Sequence, residues 1–106
     1  MTNALTRLEA TIRARRDGDP QSSYVAKLCA AGRAKIAQKV GEEAVETVIA
    51  AMAGDRAKLT SEAADLIFHL LILLADGGIT LADVTAELDR REGVSGLSEK
   101  AARKEA

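Results

Sequence analysis

Apolar residues recur in the first part of the chain at the three- and four-residue spacing of an amphipathic helix. Leu5, Leu8 and Ile12 fall on one side of such a helix. Asn3 stands before them as a capping residue, and the sequence RDGDP at residues 16–20 has the chemistry of a turn. The pattern therefore predicts a first helix that is capped by Asn3 and ended by this turn.

Three further helices follow from the same spacing. A short one starts at Ser22 or Ser23 and continues to about Ala30, before Gly32. A long helix is predicted over residues 33–53, closed by a glycine and an aspartate. A second long helix starts between residues 56 and 61 and ends at the sequence DGG of residues 76–78.

The last main helix is predicted after Thr80, because Asp83 stands three residues later in the arrangement of a capping box. Leu81, Val84 and Leu88 are expected to form its buried stripe. The tail of residues 95–106 is expected to add one or two exposed turns, capped by Ser98. The chain as a whole is therefore predicted to be an antiparallel helical bundle with two long central helices.

The first central helix has an apolar half and a charged half. On a helical wheel the charged half continues with Ala50 and Ala53, so we expect this half to face a neighbouring helix closely. The apolar half contains Val40, Ala44, Val45, Val48, Ile49 and Met52, and the charged half contains Lys35, Lys39, Glu42, Glu43 and Glu46.

The second central helix is apolar on almost all sides, which is typical of a helix that is buried all round. Its sequence LIFHLLILL at residues 66–74 is interrupted by a single polar residue, His69. One narrow stripe of the helix departs from this pattern. Its polar members lie within about 60° of one another on the wheel, and they are Glu62, Asp65, His69 and Asp76.

Acidic residues on the two central helices are expected to meet. Helices joined by a short connection pack antiparallel, which brings Glu43 and Glu46 near Glu62 and Asp65. Four close carboxylates would cost free energy comparable with the net stability of a small domain. Protonation, neighbouring Lys or Arg residues, or a divalent cation would each relieve this repulsion.

The composition of the acidic group favours hard cations. All-oxygen ligands suit Mg²⁺ or Mn²⁺. A carboxylate di-iron site requires Glu-x-x-His on two helices, whereas this chain has one histidine, so we favour magnesium. Acidic pairs at this spacing are also common on solvated or salt-bridged helix faces, and from spacing alone this alternative stays open.

Length and composition agree with a single all-α domain over residues 1–106. Aromatic residues make up 2% of the chain, which disfavours a β-sandwich or barrel. The net charge of −1 provides no field to attract nucleic acid or an anionic membrane. The single cysteine, Cys29, and the lack of a leader pattern predict a cytoplasmic protein. Because the chain is short, we expect a homodimer or higher homo-oligomer to complete its core.

The acidic sequences themselves resemble a known superfamily. KVGEEAVETVIAA at residues 39–51 and SEAADLIFHLLILL at residues 61–74 are similar to the paired signature of the all-α, MazG-like nucleotide pyrophosphatases. Together with SSYVAKL at residues 22–28 and GVSGLSEKAARK at residues 93–104, they resemble the phosphoribosyl-ATP pyrophosphatase family of histidine biosynthesis. The resemblance covers nearly the whole chain.

The resemblance implies a hydrolase that cleaves the α–β phosphoanhydride of phosphoribosyl-ATP with Mg²⁺ as cofactor. By position, it implies that Glu43, Glu46, Glu62 and Asp65 bind the metal. Glu42 is then either a further ligand or a residue that positions water, and we expect Glu42, Glu43 and Glu46 to be the catalytic residues.

A triphosphate also requires basic and hydroxyl groups near the metal. We expect the substrate to contact Ser23, Tyr24, Lys27, Arg33, Lys35 and Lys39. Ser23 has the alternative role of a helix cap, and Lys35 and Lys39 that of surface partners for glutamates. His69 is expected to support the metal ligand Asp65, four residues before it.

Two other functions are compatible with the pattern. A MazG-like house-cleaning enzyme would cleave ordinary nucleoside triphosphates instead. A non-enzymatic helical interaction module would use the acids as a salt-bridged face and would not bind Mg²⁺ tightly.

Overall fold

The computed structural model describes residues 3–93, which form five α-helices without a strand. The all-α prediction is therefore confirmed, and the predicted turns of residues 95–106 lie outside the described residues. The five helices are α1 (Ala4–Arg15), α2 (Tyr24–Ala31), α3 (Arg33–Met52), α4 (Arg56–Asp76) and α5 (Leu81–Arg91).

Side-chain caps define the starts of most helices, which explains why the sequence located them. Asn3, Ser23 and Asp55 each accept a hydrogen bond from a backbone N–H in the first turn of α1, α2 and α4. Thr80 and Asp83 form a reciprocal capping box at α5. Before α3 the chain turns at Gly32, whose φ of 101° favours glycine.

The two long helices, α3 and α4, pack antiparallel. Midway along the pair, Glu43 of α3 lies beside Asp65 of α4. Towards the end away from the turn that joins them, the Nε of Arg33 lies 2.7 Å from Oδ2 of Asp76. The predicted antiparallel central pair is thus confirmed. Ala50, on the charged side of α3, is buried as expected, whereas Ala53 is exposed.

The hydrophobic core lies around the start of α3 and the end of α4. Ile12, Ile36 and Ile72 are fully buried there. Val25, Leu28, Leu71 and Ala75 complete the cluster. Glu43, Glu62 and Asp65 lie on the other half of the central pair, away from this cluster.

The structure corrects two predictions about buried faces. α4 was expected to be buried on all sides, but Ile67 and Leu70 are 40% and 41% exposed. The stripe of α5 was expected to be buried, but Leu88 is 58% exposed, and Leu81 and Val84 are only half-buried. Both errors have one cause, because helical periodicity identifies an apolar side without showing whether another helix of the same chain covers it.

The apolar side of α3 is also largely uncovered in the described chain. We call its exposed residues the apolar face, and they are Val45, Val48, Ile49 and Met52. Among the described helices, no single one has the length and apolarity needed to cross a membrane, whereas α4 and α5 taken together, with a bend of 106° between them, meet the criteria of length and composition.

Candidate metal and substrate site

Three carboxylates from α3 and α4 meet in the half of the central pair that lies away from the core. One oxygen from each of Glu43, Glu62 and Asp65 lies within 4.8 Å of the other two. Glu43 and Glu62 are half-buried, and Asp65 is exposed, so the group is open to solvent on one side. We call these three residues the acid cluster. Its ligands are all oxygens, which is the donor set that Mg²⁺ prefers.

Glu62 is the member of the acid cluster with the most unfavourable environment. Its Oε2 atom is buried and has no hydrogen-bond partner among the described residues. Burial raises the pKa of the Glu62 carboxyl, and the nearby carboxyls of Glu46, Glu43 and Asp65 raise it further. A buried oxygen without a partner requires an explanation. A divalent cation fits this position, because it would both coordinate the oxygen and offset the repulsion.

The two remaining glutamates of α3 occupy different places. Glu46 is exposed and lies close enough to Glu62 for a carboxyl–carboxyl hydrogen bond that raises the pKa of Glu62. Glu42 accepts a hydrogen bond from Nε2 of Gln38 at 2.8 Å and pairs with Lys39. These two contacts lower the pKa of Glu42, so it is ionised at neutral pH. Glu46 therefore borders the acid cluster, and Glu42 stands outside it.

Lys39 contacts both Glu43 of the acid cluster and Glu42 outside it. Its Nζ atom lies 3.1 Å from Oε2 of Glu42 and 3.7 Å from Oε1 of Glu43. The hydrogen bond to Glu42 is the main reason why the pKa of the Lys39 ammonium is raised. Lys39 is thus a positive charge beside the acids, as expected from its place one turn before Glu43 on the same helix.

A groove of about 280 Å³ adjoins Lys39 between α2 and α3. It brings together four of the six residues that were expected to contact substrate, namely Tyr24 and three lysines. The groove, which we call the lysine groove, is lined by Tyr24, Lys27, Leu28, Ala31, Lys35, Lys39 and Glu42. Its wall is therefore partly apolar and its edge is basic.

A hydrogen-bonded chain links the lysine groove to α4. The hydroxyl of Tyr24 lies 2.8 Å from Nε2 of His69, and Nδ1 of His69 lies 2.7 Å from the backbone carbonyl oxygen of Asp65. His69 is 6% exposed, whereas Tyr24 is exposed. His69 therefore supports the segment that carries Asp65 through the main chain, not through the Asp65 carboxylate.

Ser23 and Arg33 have other partners in the structure. Ser23 caps α2 by accepting a hydrogen bond from the N–H of Ala26 at 3.2 Å. The Arg33 guanidinium pairs with the carboxylate of Asp76 and also donates to the Asp76 carbonyl at 3.1 Å, which satisfies the end of α4. Neither residue lines the lysine groove, and their expected contact with substrate stays a prediction.

Sequence reasoning did not single out Lys58. Lys58 stands in the first turn of α4 and lines a small pocket with Glu46 and Ile49, none of which lines the lysine groove. Its position four residues before Glu62 places the two on one helix face, and this spacing is the signal that could have revealed it.

Comparison with known proteins decides the family. The family model described as phosphoribosyl-ATP pyrophosphohydrolase matches residues 5–92. The chain belongs to this family. Proteins named phosphoribosyl-ATP pyrophosphatase are similar over nearly their full length. The one from Rhizorhabdus wittichii is 70% identical over 97% of both chains. Those from Novosphingobium aromaticivorans and Dinoroseobacter shibae are 68% and 62% identical, covering 93% and 95% of this chain and 92% and 99% of their own.

Membership of the phosphoribosyl-ATP pyrophosphohydrolase family confirms the resemblance seen in the sequence. The matched region contains the whole acid cluster and the whole lysine groove. Both features therefore belong to the part of the chain that this family shares.

Proposed function

We propose that this chain hydrolyses the α–β phosphoanhydride of phosphoribosyl-ATP to phosphoribosyl-AMP and pyrophosphate, the second step of histidine biosynthesis. A relative that is 70% identical over 97% of the chain bears the name of that activity. The observation that carries the proposal is the acid cluster, in which Oε2 of Glu62 is buried without a partner. A divalent cation would satisfy this oxygen, and it would also stabilise the charge that develops when a phosphoanhydride is hydrolysed.

The proposed cofactor is Mg²⁺, with Mn²⁺ as a substitute. Glu43, Glu62 and Asp65 would hold it, and Glu46 would join them from the edge of the cluster. When bound, the ion offsets the negative charge that the phosphate oxygens and the departing pyrophosphate carry.

The chain's own residues supply the remaining chemistry. Glu42 is exposed and adjacent to Glu43 in the sequence, and Lys39 contacts both carboxylates, so we propose that Glu42 orients the attacking water. Glu43 and Glu46 complete the catalytic group by holding the phosphates' counter-ion in place. Lys39 keeps Glu42 and Glu43 in position through its two contacts.

Substrate contacts are proposed along the lysine groove. Tyr24, Lys27, Lys35 and Lys39 line it, and their ammonium and hydroxyl groups suit phosphate and sugar oxygens. His69 acts indirectly, since it fixes the backbone at Asp65 and the hydroxyl of Tyr24.

We also propose that the protein works in the cytoplasm as a homodimer or a higher homo-oligomer. Within residues 3–93 the apolar face of α3 is left exposed, with Met52 at 83% and Val48 at 61%. A second copy of the chain would cover it.

The test of the proposed function is turnover by the purified protein. With Mg²⁺ it should release pyrophosphate from phosphoribosyl-ATP, detected by phosphate-coupled assay and by chromatography of the nucleotides. Asp65→Asn and Glu46→Gln should each reduce turnover by about 100-fold or more without changing the helical circular dichroism. The exposed control Glu92→Gln should leave turnover unchanged. Cleavage of ordinary nucleoside triphosphates alone would replace the proposal with a house-cleaning activity.

A further inference from the structure

Two features of opposite charge lie side by side in this molecule. The acid cluster can bind a phosphate only through a cation, whereas the lysine groove can bind one directly. Lys39 belongs to both, because it lines the groove and its Nζ lies 3.7 Å from Glu43. A single ligand could therefore occupy the two places at once.

Two of the groove's lysines have no ion-pair partner within the described residues. Lys27 and Lys35 are exposed, and neither ammonium makes a hydrogen bond or ion pair within residues 3–93. Between them, Leu28 and Ala31 provide an apolar wall beside the Tyr24 ring. An apolar wall with cations at its edge suits a purine or sugar that carries a phosphate.

The proposed substrate is anionic at two ends. One end is the triphosphate, at which the reaction occurs, and the other is the 5′-phosphate of the second ribosyl group. Placing both at the acid cluster would concentrate their repulsion, and the second phosphate takes no part in the chemistry. It therefore needs a separate, metal-free anion site.

We propose that the lysine groove is this site, in which Lys27 and Lys35 bind the 5′-phosphate of the ribosyl arm while the triphosphate lies at the acid cluster. This inference rests on the proposed function and adds a role for the two lysines. They select the substrate by its 5′-phosphate and do not contact the phosphoanhydride that is cleaved. Lys35 lies eight residues before Glu43 on α3, which is about 12 Å along the helix axis. The two phosphate sites are thus far enough apart for a nucleoside to lie between them.

The arrangement explains how the enzyme distinguishes phosphoribosyl-ATP from ATP. ATP carries the triphosphate but has no second phosphate for Lys27 and Lys35. The contacts that the arm makes in the groove are then available only to the correct substrate. Loss of these contacts should raise KM and leave the chemical step almost unchanged.

Steady-state kinetics with matched charge changes test the proposal. Lys35→Gln should raise KM for phosphoribosyl-ATP about 10-fold, with kcat within about 2-fold of the original value, and addition of Lys27→Gln should raise KM further. Arg13→Gln removes one positive charge from the exposed side of α1, outside the groove and the acid cluster, and it should change KM by less than about 2-fold. It controls for the general electrostatic effect on an anionic substrate.

Ribose 5-phosphate serves as a probe of the arm alone. It should inhibit competitively against phosphoribosyl-ATP, and Lys35→Gln should weaken that inhibition about 10-fold, whereas Arg13→Gln should not. Equal effects of Lys35→Gln and Arg13→Gln, or a loss confined to kcat, would overturn the assignment while the proposed function stands. If the unaltered protein does not cleave phosphoribosyl-ATP, the proposed function fails and this inference fails with it.

Discussion

The hydroxyl of Tyr24 lies 2.8 Å from Nε2 of the buried His69. The direction of this hydrogen bond follows from the other side of the ring. Nδ1 of His69 lies 2.7 Å from the carbonyl oxygen of Asp65, which can only accept, so Nδ1 carries the proton. In the neutral ring Nε2 then accepts, and Tyr24 donates. The wall of the lysine groove is thus connected to the main chain at the acid cluster.

Replacing Tyr24 by Phe should destabilise the protein by about 1 kcal/mol, because Nε2 of His69 loses its donor in a largely buried place. The ring contact with Phe68, at a centroid distance of 6.1 Å, is kept. Urea unfolding followed by circular dichroism measures the change.

A double-mutant cycle identifies the hydrogen bond as the cause. In a His69→Gln background, Tyr24→Phe should cost clearly less than in the unaltered chain. An equal cost in both backgrounds would show that the hydroxyl of Tyr24 does not act through His69.

Magnesium should stabilise the protein against thermal unfolding, and Glu62→Gln should remove most of that response. The carboxylate of Glu62 has a buried oxygen without a partner, which a cation would satisfy. Without Mg²⁺, the variant should be at least as stable as the original, because a neutral amide relieves the repulsion from Glu43, Glu46 and Asp65. Calorimetric scans with and without Mg²⁺ measure both effects.

Glu42→Gln is the matched control for this experiment. Glu42 is adjacent to Glu43 in sequence but pairs with Lys39 and Gln38 instead of joining the acid cluster. Its variant should therefore keep the thermal response to Mg²⁺. If both variants lost the response equally, the ion would not be held by the acid cluster as described.

Local patterns predicted most of the helical architecture. Asn3, Thr80 and Asp83 are capping residues whose partners lie within three positions, so the chain sequence alone was enough to place them. The proximity of Glu43 and Asp65 could also be predicted from the sequence, because a short turn between two long helices leaves few ways to pack them. That residues 1–106 form one domain stays a prediction.

Contacts between distant residues could not be predicted in this way. The Oε2 of Glu9 accepts a hydrogen bond from the N–H of Leu81 at 2.6 Å, and this joins α1 to the start of α5. Arg33 turns to Asp76 at the end of α4, away from the acids. Such partners depend on the rotation of each helix about its axis. The periodicity of a sequence does not predict which neighbouring helix a given face will contact.

Glu87 should make the stability of α5 depend on pH in the acid range. Hydrogen bonds from Arg90 and Arg91 lower the pKa of this carboxyl from 4.5 to about 2. Because the folded pKa is depressed, the stabilisation is complete above pH 4.5 and is lost as pH falls towards 2. The difference in unfolding free energy between the original and Glu87→Gln should therefore shrink between these two pH values.

Urea unfolding at several pH values between 7 and 2.5 checks this, with Asp89→Asn as a neighbouring control on α5. High salt should also reduce the Glu87 effect, since its partners are solvent-exposed. A difference that stayed constant down to pH 2.5 would contradict the ion-pair explanation.

Ile49→Lys should weaken self-association of the chain by about 100-fold or more. Ile49 lies within the apolar face and is 59% exposed in the single chain. A charge there would cost each of two copies roughly 1.5 kcal/mol of apolar burial, or about 3 kcal/mol for a dimer. Ala86→Lys on the exposed side of α5 adds the same charge elsewhere and should leave assembly intact. Sedimentation at micromolar concentration distinguishes the two, and an unaltered chain that sediments as a monomer would show that no second copy covers the apolar face.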